Sequence, residues 1–140
     1  MKGGTVMYFA YGSNMNPAQM RGRCPDAERF GTATLRGWRL RERLYADVER
    51  APGESVRGVV YRLGMPDWEA LCRYEGEPRV YRYQLACAWV DGTGWCDVLV
   101  FLLSKGARQA RNGKRYPEEY RARCSDGARA NGLPDAFAAA

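Results

Sequence analysis

The chain changes abruptly from strand to helix near its start. The apolar segment Thr5–Ala10 has the composition of a β-strand, and it ends in Tyr-Gly-Ser-Asn at positions 11–14. A helix is predicted to follow, with Asn16 as N-cap and Pro17 at the first helical position. A strand that turns through a glycine into a helix leaves several backbone N–H groups unpaired and pointing in one direction. Such a site suits a carboxylate, a phosphate or a developing oxyanion.

The sequence lacks the residues on which many active sites depend. None of its 140 residues is histidine, which excludes a Ser-His-Asp triad, a Cys-His pair and any zinc site that contains histidine. Acid–base catalysis would therefore need Asp, Glu, Lys, Tyr or Cys. The five cysteines are odd in number and form no Cys-x-x-Cys motif, so we expect free thiols rather than a zinc ribbon or a thioredoxin-type site. They are Cys24, Cys72, Cys87, Cys96 and Cys124.

The length predicts one domain over residues 1–140, and a hydrophobic fraction of 46% is enough for a core. No segment approaches the roughly 18–20 apolar residues that a membrane span needs. Residues 1–4, Met-Lys-Gly-Gly, lack the features of a signal peptide, so a cytoplasmic location is expected. The sequence leaves the oligomeric state open, with a homodimer among the alternatives.

The net charge of +6 raises the question of nucleic-acid binding. The arginines are dispersed, however, and no run of five basic residues occurs. The alternation Arg39-Leu40-Arg41 is typical of the solvent face of a strand. We therefore expect no nucleic-acid partner.

The pattern along the chain predicts more strands than helices. Neighbouring strands lack crossover helices of adequate length, which favours an α+β (mixed α/β) fold with a small curled or barrel-like sheet, largely antiparallel or mixed, and a few short helices. The predicted elements are strand 5–10, helix 17–22, β-rich residues 28–48, a turn at 51–53, strand 56–63, helix 66–74, strands 80–90 and 95–103, a loop at 104–115 and helix 117–130.

Glu75 is the strongest candidate for acid–base chemistry. It lies where a short helix is predicted to end at Gly76, and the negative end of the helix dipole disfavours its charged form there. Neighbouring Trp68 and Tyr74 would also remove water from it. Both effects raise the pKa of a carboxyl group and suit it to proton transfer near neutral pH. The alternative is a surface glutamate in a turn, which is our interpretation of Glu77.

Tyr120 opens a third candidate site near the start of the last predicted helix. Its hydroxyl could contact a ligand, or its ring could be a core aromatic on the buried face of that helix. The same two alternatives apply to Tyr8, Tyr11, Tyr61, Tyr81 and Tyr83.

Taken together and in this order, these sites resemble the γ-glutamyl cyclotransferase family. The matching motifs are the strand that runs into Tyr-Gly-Ser-Asn, Ala-Pro-Gly-Glu at 51–54 before strand 56–61, and Glu75-Gly76 after a short helix. The match continues with Tyr120, Gly127-Ala128 and Asn-Gly-Leu-Pro at 131–134. It covers about residues 6–134, and both the content and the spacing of the motifs agree with the family.

The resemblance implies a cofactor-independent and metal-independent enzyme on a curled, barrel-like α/β domain. The α-amino group of a γ-glutamyl substrate would attack its own γ-carbonyl, which releases 5-oxoproline and a free amine or amino acid. By matching positions, Glu75 would be the general acid–base residue and Tyr120 a substrate contact. The glutamyl-binding loop would comprise Tyr8, Phe9, Ala10, Tyr11, Gly12, Ser13 and Asn14.

Two segments depart from the family pattern. Residues 46–50 are more charged than expected, and the Arg- and Gly-rich segment 104–115 matches little. Arg108, Arg111 and Lys114 in that segment would either attract an acidic leaving portion or belong to a solvated loop. Other interpretations of the whole chain are a γ-glutamyl deprotection enzyme of a biosynthetic pathway and a non-catalytic small-molecule binding protein with the same fold.

Overall fold

The computed structural model describes residues 4–138, which form five β-strands and four α-helices. The strands are β1 (Thr5–Ala10), β2 (Glu28–Arg43), β3 (Tyr45–Gly64), β4 (Tyr81–Val90) and β5 (Gly94–Leu103). The helices are α1 (Pro17–Arg23), α2 (Met65–Tyr74), α3 (Lys105–Arg111) and α4 (Glu118–Ala130). The prediction of one domain over residues 1–140 extends past the described range at both ends and stays a prediction. None of the helices within residues 4–138 is long and apolar enough to cross a membrane.

The strands close into a barrel in the order β1-β3-β2-β4-β5. Neighbours pair antiparallel, except that β1 meets β5 in parallel where Tyr8 lies opposite Leu99. Tight turns join β2 to β3 and β4 to β5, and a short turn can join only antiparallel strands. The predicted α+β class and barrel-like mixed sheet are confirmed.

The longest strand pair contains the predicted turn at residues 51–53 as a bulge. Arg50 pairs with Trp38 and Ser55 pairs with Arg36, so four residues of β3 lie opposite Gly37 alone. Gly37 and Gly53 take up the bend with φ values of 83° and 87°, a region that favours glycine. The prediction that this turn separates two strands is therefore wrong, because β3 pairs with β2 on both sides of it.

The prediction of a loop over residues 104–115 is wrong for its first half, which forms α3. The Ser104 side chain caps this helix by accepting a hydrogen bond from the N–H of Ala107 at 3.2 Å. Ala107 is the buried residue of the helix. With one buried residue in two turns, the segment has no hydrophobic periodicity that would predict a helix.

The core fills the barrel and the space under the helices. Fully buried strand residues such as Phe9, Leu35 and Val100 pack with Leu71 of α2 and Cys124 of α4. All five cysteines are free, as their number and spacing predicted.

A charged network holds the tip of the β2–β3 hairpin. Arg43, which is buried, donates to Asp47 at 2.7 Å and to Glu49 at 2.8 Å. Glu49 also accepts hydrogen bonds from Arg39 at 2.7 Å and Arg41 at 2.8 Å. Asp47 in turn accepts from the N–H of Leu103 at 3.0 Å. The network therefore ties the hairpin tip to the end of β5.

Glu49→Gln should flatten the acid side of the stability curve. The hydrogen bond from Arg43, followed by those from Arg39 and Arg41, lowers the pKa of Glu49 to about 2. A lowered pKa contributes stability that is present above the unfolded value of about 4.3 and is lost as the pH falls toward the folded value. We expect a contribution of about 1–2 kcal/mol after solvent screening, measured by urea unfolding between about pH 6 and pH 2.5.

The control is Glu119→Gln. Glu119 is exposed and forms no ion pair within residues 4–138. If the stability of Glu49→Gln and of the native chain fell equally at acid pH, the network would contribute nothing to the free energy of unfolding at neutral pH.

Candidate active site

The turn after β1 forms one wall of a cavity. A 3-10 turn over Ser13–Met15 connects β1 to α1, and Asn16 caps α1 by accepting from the N–H groups of Ala18 at 3.1 Å and Gln19 at 3.3 Å. The predicted N-cap is therefore confirmed, and the amides it binds are occupied. In contrast, the N–H groups of Gly12 and Ser13 donate no hydrogen bond within residues 4–138. These two amides remain available to a ligand.

The cavity has a volume of about 430 Å³, within the range typical of small-molecule sites. It brings together parts of the chain that are far apart in sequence. Its lining includes Tyr8, Tyr11, Gly12, Ser13, Asn14, Arg23, Tyr45, Ala46, Tyr74, Glu75, Gly76, Val80, Tyr81, Phe101, Arg111, Tyr120 and Arg123.

Glu75 lies at the C-terminal end of α2 and faces this cavity. Its side chain is 16% exposed. Oε1 accepts a hydrogen bond from Asn14 Nδ2 at 3.1 Å and lies 4.0 Å from Arg23 Nη1. No hydrogen bond to Oε2 is found within residues 4–138. One carboxylate oxygen is thus held in place, and the other is left for a ligand.

Asn14 organises the groups around Glu75. Its Oδ1 accepts from Gln19 Nε2 at 2.9 Å and from Arg23 Nη1 at 3.2 Å. This orients Nδ2 toward Glu75 Oε1 and toward Tyr8 Oη, 2.9 Å away. Because Tyr8 accepts from Asn14, its own hydroxyl hydrogen is free to donate into the cavity.

Burial sets the protonation of these groups. It is the main cause that raises the pKa of Glu75 above its usual value, and the nearby Arg23 and Asn14 oppose the rise. Burial, and then the charge of Glu75, raises the pKa of Tyr8 well above its usual value. Near neutral pH, Tyr8 is therefore a hydrogen-bond donor, and Glu75 releases its proton less readily than an exposed glutamate.

The family model for gamma-glutamyl cyclotransferase, AIG2-like, matches residues 8–122. The chain belongs to this AIG2-like γ-glutamyl cyclotransferase family. No curated protein matches the sequence significantly.

Solved structures agree with the family assignment at the level of the fold. A gamma-glutamyl cyclotransferase is 22% identical with a TM-score of 0.78, over 94% of this chain and 82% of that one. An uncharacterized protein from Homo sapiens is 24% identical with a TM-score of 0.79, over 93% and 82% of the two chains. YkqA from Bacillus subtilis is 25% identical with a TM-score of 0.74; the match covers 95% of this chain and 51% of YkqA.

In this family member, Tyr120 lies across the cavity from the turn. A Cβ atom added at Gly12 would lie 3.0 Å from Tyr120 Oη and 3.2 Å from Ala46 Cβ, so a larger residue would push against both side chains. Tyr120 Oη accepts from the N–H of Ala46 at 3.1 Å, which leaves its hydrogen free to donate. The predicted residues Gly12 and Tyr120 therefore face each other.

The hydroxyl groups of two other tyrosines brace the cavity wall. Tyr11 donates to the carbonyl of Phe101 at 2.6 Å, and Tyr81 donates to the carbonyl of Ala46 at 2.7 Å. Tyr11 therefore lines the cavity, as predicted, but its hydroxyl is already engaged by the backbone of β5.

Phe9 and Ala10 of the predicted binding loop lie outside the cavity lining. Both are completely buried in the core and do not line the cavity. Strand alternation turns Phe9 to the face opposite Tyr8, and the methyl group of Ala10 is covered by the core. Of the predicted loop, Tyr8, Tyr11, Gly12, Ser13 and Asn14 line the cavity.

Three residues that were not predicted from the sequence also belong to the site: Gln19, Arg23 and Arg123. Gln19 donates to both Ser13 Oγ at 2.7 Å and Asn14 Oδ1, and Arg23 lies one turn further along α1. The i, i+4 spacing of Gln19 and Arg23 was a usable signal, because such residues share one helix face. Arg123 was similarly marked by its i+3 position after Tyr120.

Proposed function

We propose that this protein is a γ-glutamyl cyclotransferase that releases 5-oxoproline and a free amine or amino acid from a small γ-glutamyl substrate. The observation that carries the proposal is the position of Glu75. This largely buried carboxyl group has a raised pKa, and it lines the same cavity as the unpaired amides of Gly12 and Ser13. Family membership supports the same reaction class.

The reaction needs one proton carrier. Glu75 takes a proton from the substrate's α-ammonium group, and the resulting amine attacks the γ-carbonyl to form the new C–N bond. As the original C–N bond breaks, Glu75 gives this proton to the leaving nitrogen. The freed carboxylate then carries a second proton from the ring nitrogen to the released amine, which departs as an ammonium ion, so charge and protons balance. Because the amine and the carbonyl belong to one molecule, holding the substrate in a folded conformation favours closure of the five-membered ring.

The cavity supplies hydrogen bonds to the remaining groups of the substrate. The amides of Gly12 and Ser13 bind the glutamyl α-carboxylate or the tetrahedral oxyanion, and the Tyr8 and Tyr120 hydroxyls donate to substrate oxygens. Asn14 acts as a positioning residue, since it holds Oε1 of Glu75 and leaves Oε2 to carry the proton.

The test is to incubate the purified chain with a panel of γ-glutamyl amino acids and γ-glutamyl amines and to measure 5-oxoproline. Release from at least one compound supports the proposal. Binding without release from any compound would instead identify a non-catalytic binding protein with this fold.

Asn14→Asp should shift the acid limb of the pH–rate profile to higher pH. Asp keeps the acceptor for Gln19 and Arg23 but replaces the donor to Glu75 with a second carboxylate. A like charge disfavours ionisation of Glu75, so a higher pH is needed to form the base. We expect kcat/KM near pH 7 to fall about 10- to 100-fold, in keeping with the loss of a hydrogen bond to a charged group.

The control is Asn112→Asp, which adds the same charge at an exposed residue outside the cavity lining. An unchanged acid limb in Asn14→Asp would contradict the role of Asn14 in positioning Glu75.

A further inference from the structure

The cavity carries more positive charge than its own carboxylate can balance. Three arginines, Arg23, Arg111 and Arg123, line it, and Glu75 is the acidic residue of the lining. Arg23 is engaged with Glu75 and Asn14, and its guanidinium lies 5.0 Å from the ring centre of Tyr74. Two arginines therefore remain to interact with a ligand.

Arg111 and Arg123 have no acidic partner within residues 4–138. The Nε atom of Arg111 is buried without a hydrogen bond. Arg121 also has a buried, unpaired Nε, but its two outer nitrogens donate to Phe137 and Glu42. Arg111 has no such bond within the described part of the chain, and partial desolvation strengthens its attraction for an anion.

The proposed reaction accounts for only part of this charge, and the present inference depends on that reaction. In that reaction the amides of Gly12 and Ser13 bind the glutamyl head group. Arg111 and Arg123 are then available to bind the leaving portion. The three arginines, Glu75 and the substrate's ammonium group sum to +3. The glutamyl α-carboxylate reduces this sum to +2, so two further carboxylates would balance the occupied cavity.

We propose that Arg111 and Arg123 are specificity-determining residues that select a leaving portion with two carboxylates, as in γ-glutamyl aspartate or γ-glutamyl glutamate. Arginine suits this task because its planar fork matches a carboxylate and stays charged at any physiological pH. The selectivity comes from segment 104–115 and α4, outside the elements that supply Glu75 and the turn.

The test uses three substrates that differ by one carboxylate at each step: γ-glutamyl ethylamide, γ-glutamyl alanine and γ-glutamyl aspartate. We expect kcat/KM of the native chain to rise along this series. Arg111→Gln and Arg123→Gln should each lower kcat/KM for the aspartate compound by about 10- to 100-fold, the usual effect of losing a hydrogen bond to a charged group. The kcat/KM for the ethylamide compound should change less than about threefold, which is the size of effect expected from removing an exposed charge.

Arg108→Gln is the matched control, because it removes the same charge from an exposed residue of α3 that does not line the cavity. Arg108→Gln should leave unchanged both the order of the three substrates and their kcat/KM values. Equal rates of the native chain on all three compounds would overturn the inference. So would a similar loss on all three in Arg111→Gln and Arg123→Gln, which would place these arginines at the head group or in the fold.

Calorimetric binding of the same compounds separates failure of this inference from failure of the proposed function. Tighter binding of the aspartate compound without any 5-oxoproline would overturn the cyclotransferase activity but support the charge selection. Release from all three compounds without preference would support the activity and overturn the selection. Neither release nor binding would overturn both.

Discussion

Glu75→Gln should lower the rate of 5-oxoproline release by about 10²- to 10⁴-fold, the usual contribution of a general acid–base group. Glutamine keeps the size of the side chain and the acceptor for Asn14, 3.1 Å from Oε1. It cannot take a proton from the substrate's ammonium group. The loss should appear mainly in kcat, because the substitution leaves in place the amides of Gly12 and Ser13 that we propose bind the head group.

The same substitution should leave the protein as stable at pH 7 as the native chain, or more stable. Burial raises the pKa of Glu75, so the folded state binds more protons than the unfolded state over the range between the two pKa values. Stability therefore falls as the pH rises through that range, and glutamine removes the cost. Unfolding in urea at several pH values measures this effect.

The matched control is Glu77→Gln, two residues along the chain and outside the cavity lining. It should retain full activity. Full activity in Glu75→Gln would exclude the proposed mechanism, whereas an unfolded Glu75→Gln would contradict the expected stability.

Gly127→Ala and Gly22→Ala should change stability in opposite directions. Both residues lie inside helices, where alanine is intrinsically better than glycine by about 1 kcal/mol. A Cβ atom at Gly127 would lie 2.6 Å from the backbone nitrogen of Asn16 and 2.8 Å from the carbonyl carbon of Met15. A Cβ atom at Gly22 would meet nothing within 4 Å.

We expect Gly127→Ala to lower the free energy of unfolding by about 1–3 kcal/mol, the usual cost of overpacking. Gly22→Ala should raise it by up to about 1 kcal/mol. Urea unfolding measures both. Gly127→Ala should also reduce activity, because the displaced backbone of Met15 and Asn16 directly follows Asn14. Equal stabilisation by both substitutions would show that α4 does not pack closely on the turn.

The strand, turn and helix at the start of the chain and the helix end at Glu75 were predictable because their signals are local. A glycine after an apolar strand, an Asn-Pro helix start and a glycine after a short helix each act through the backbone of neighbouring residues. The bulge at residues 51–54 shows where this local reasoning stops. Its residues do bend the chain, but β3 continues beyond them, where Ser55 pairs with Arg36 of β2.

The amino-acid sequence specifies which chemical groups are available: no histidine, a carboxylate at a helix end and a glycine turn before a helix start. Only the tertiary structure decided which side chains meet in the cavity. Packing of α1, α3 and α4 around one opening brought Arg23, Arg111 and Arg123 to the same cavity. The physical reason is that a side chain's surroundings depend on strand pairing and helix packing between distant segments, which no local pattern specifies. The turn at Gly12 is thus specified by its neighbouring residues, whereas its closeness to Glu75 and Tyr120 exists only in the folded barrel.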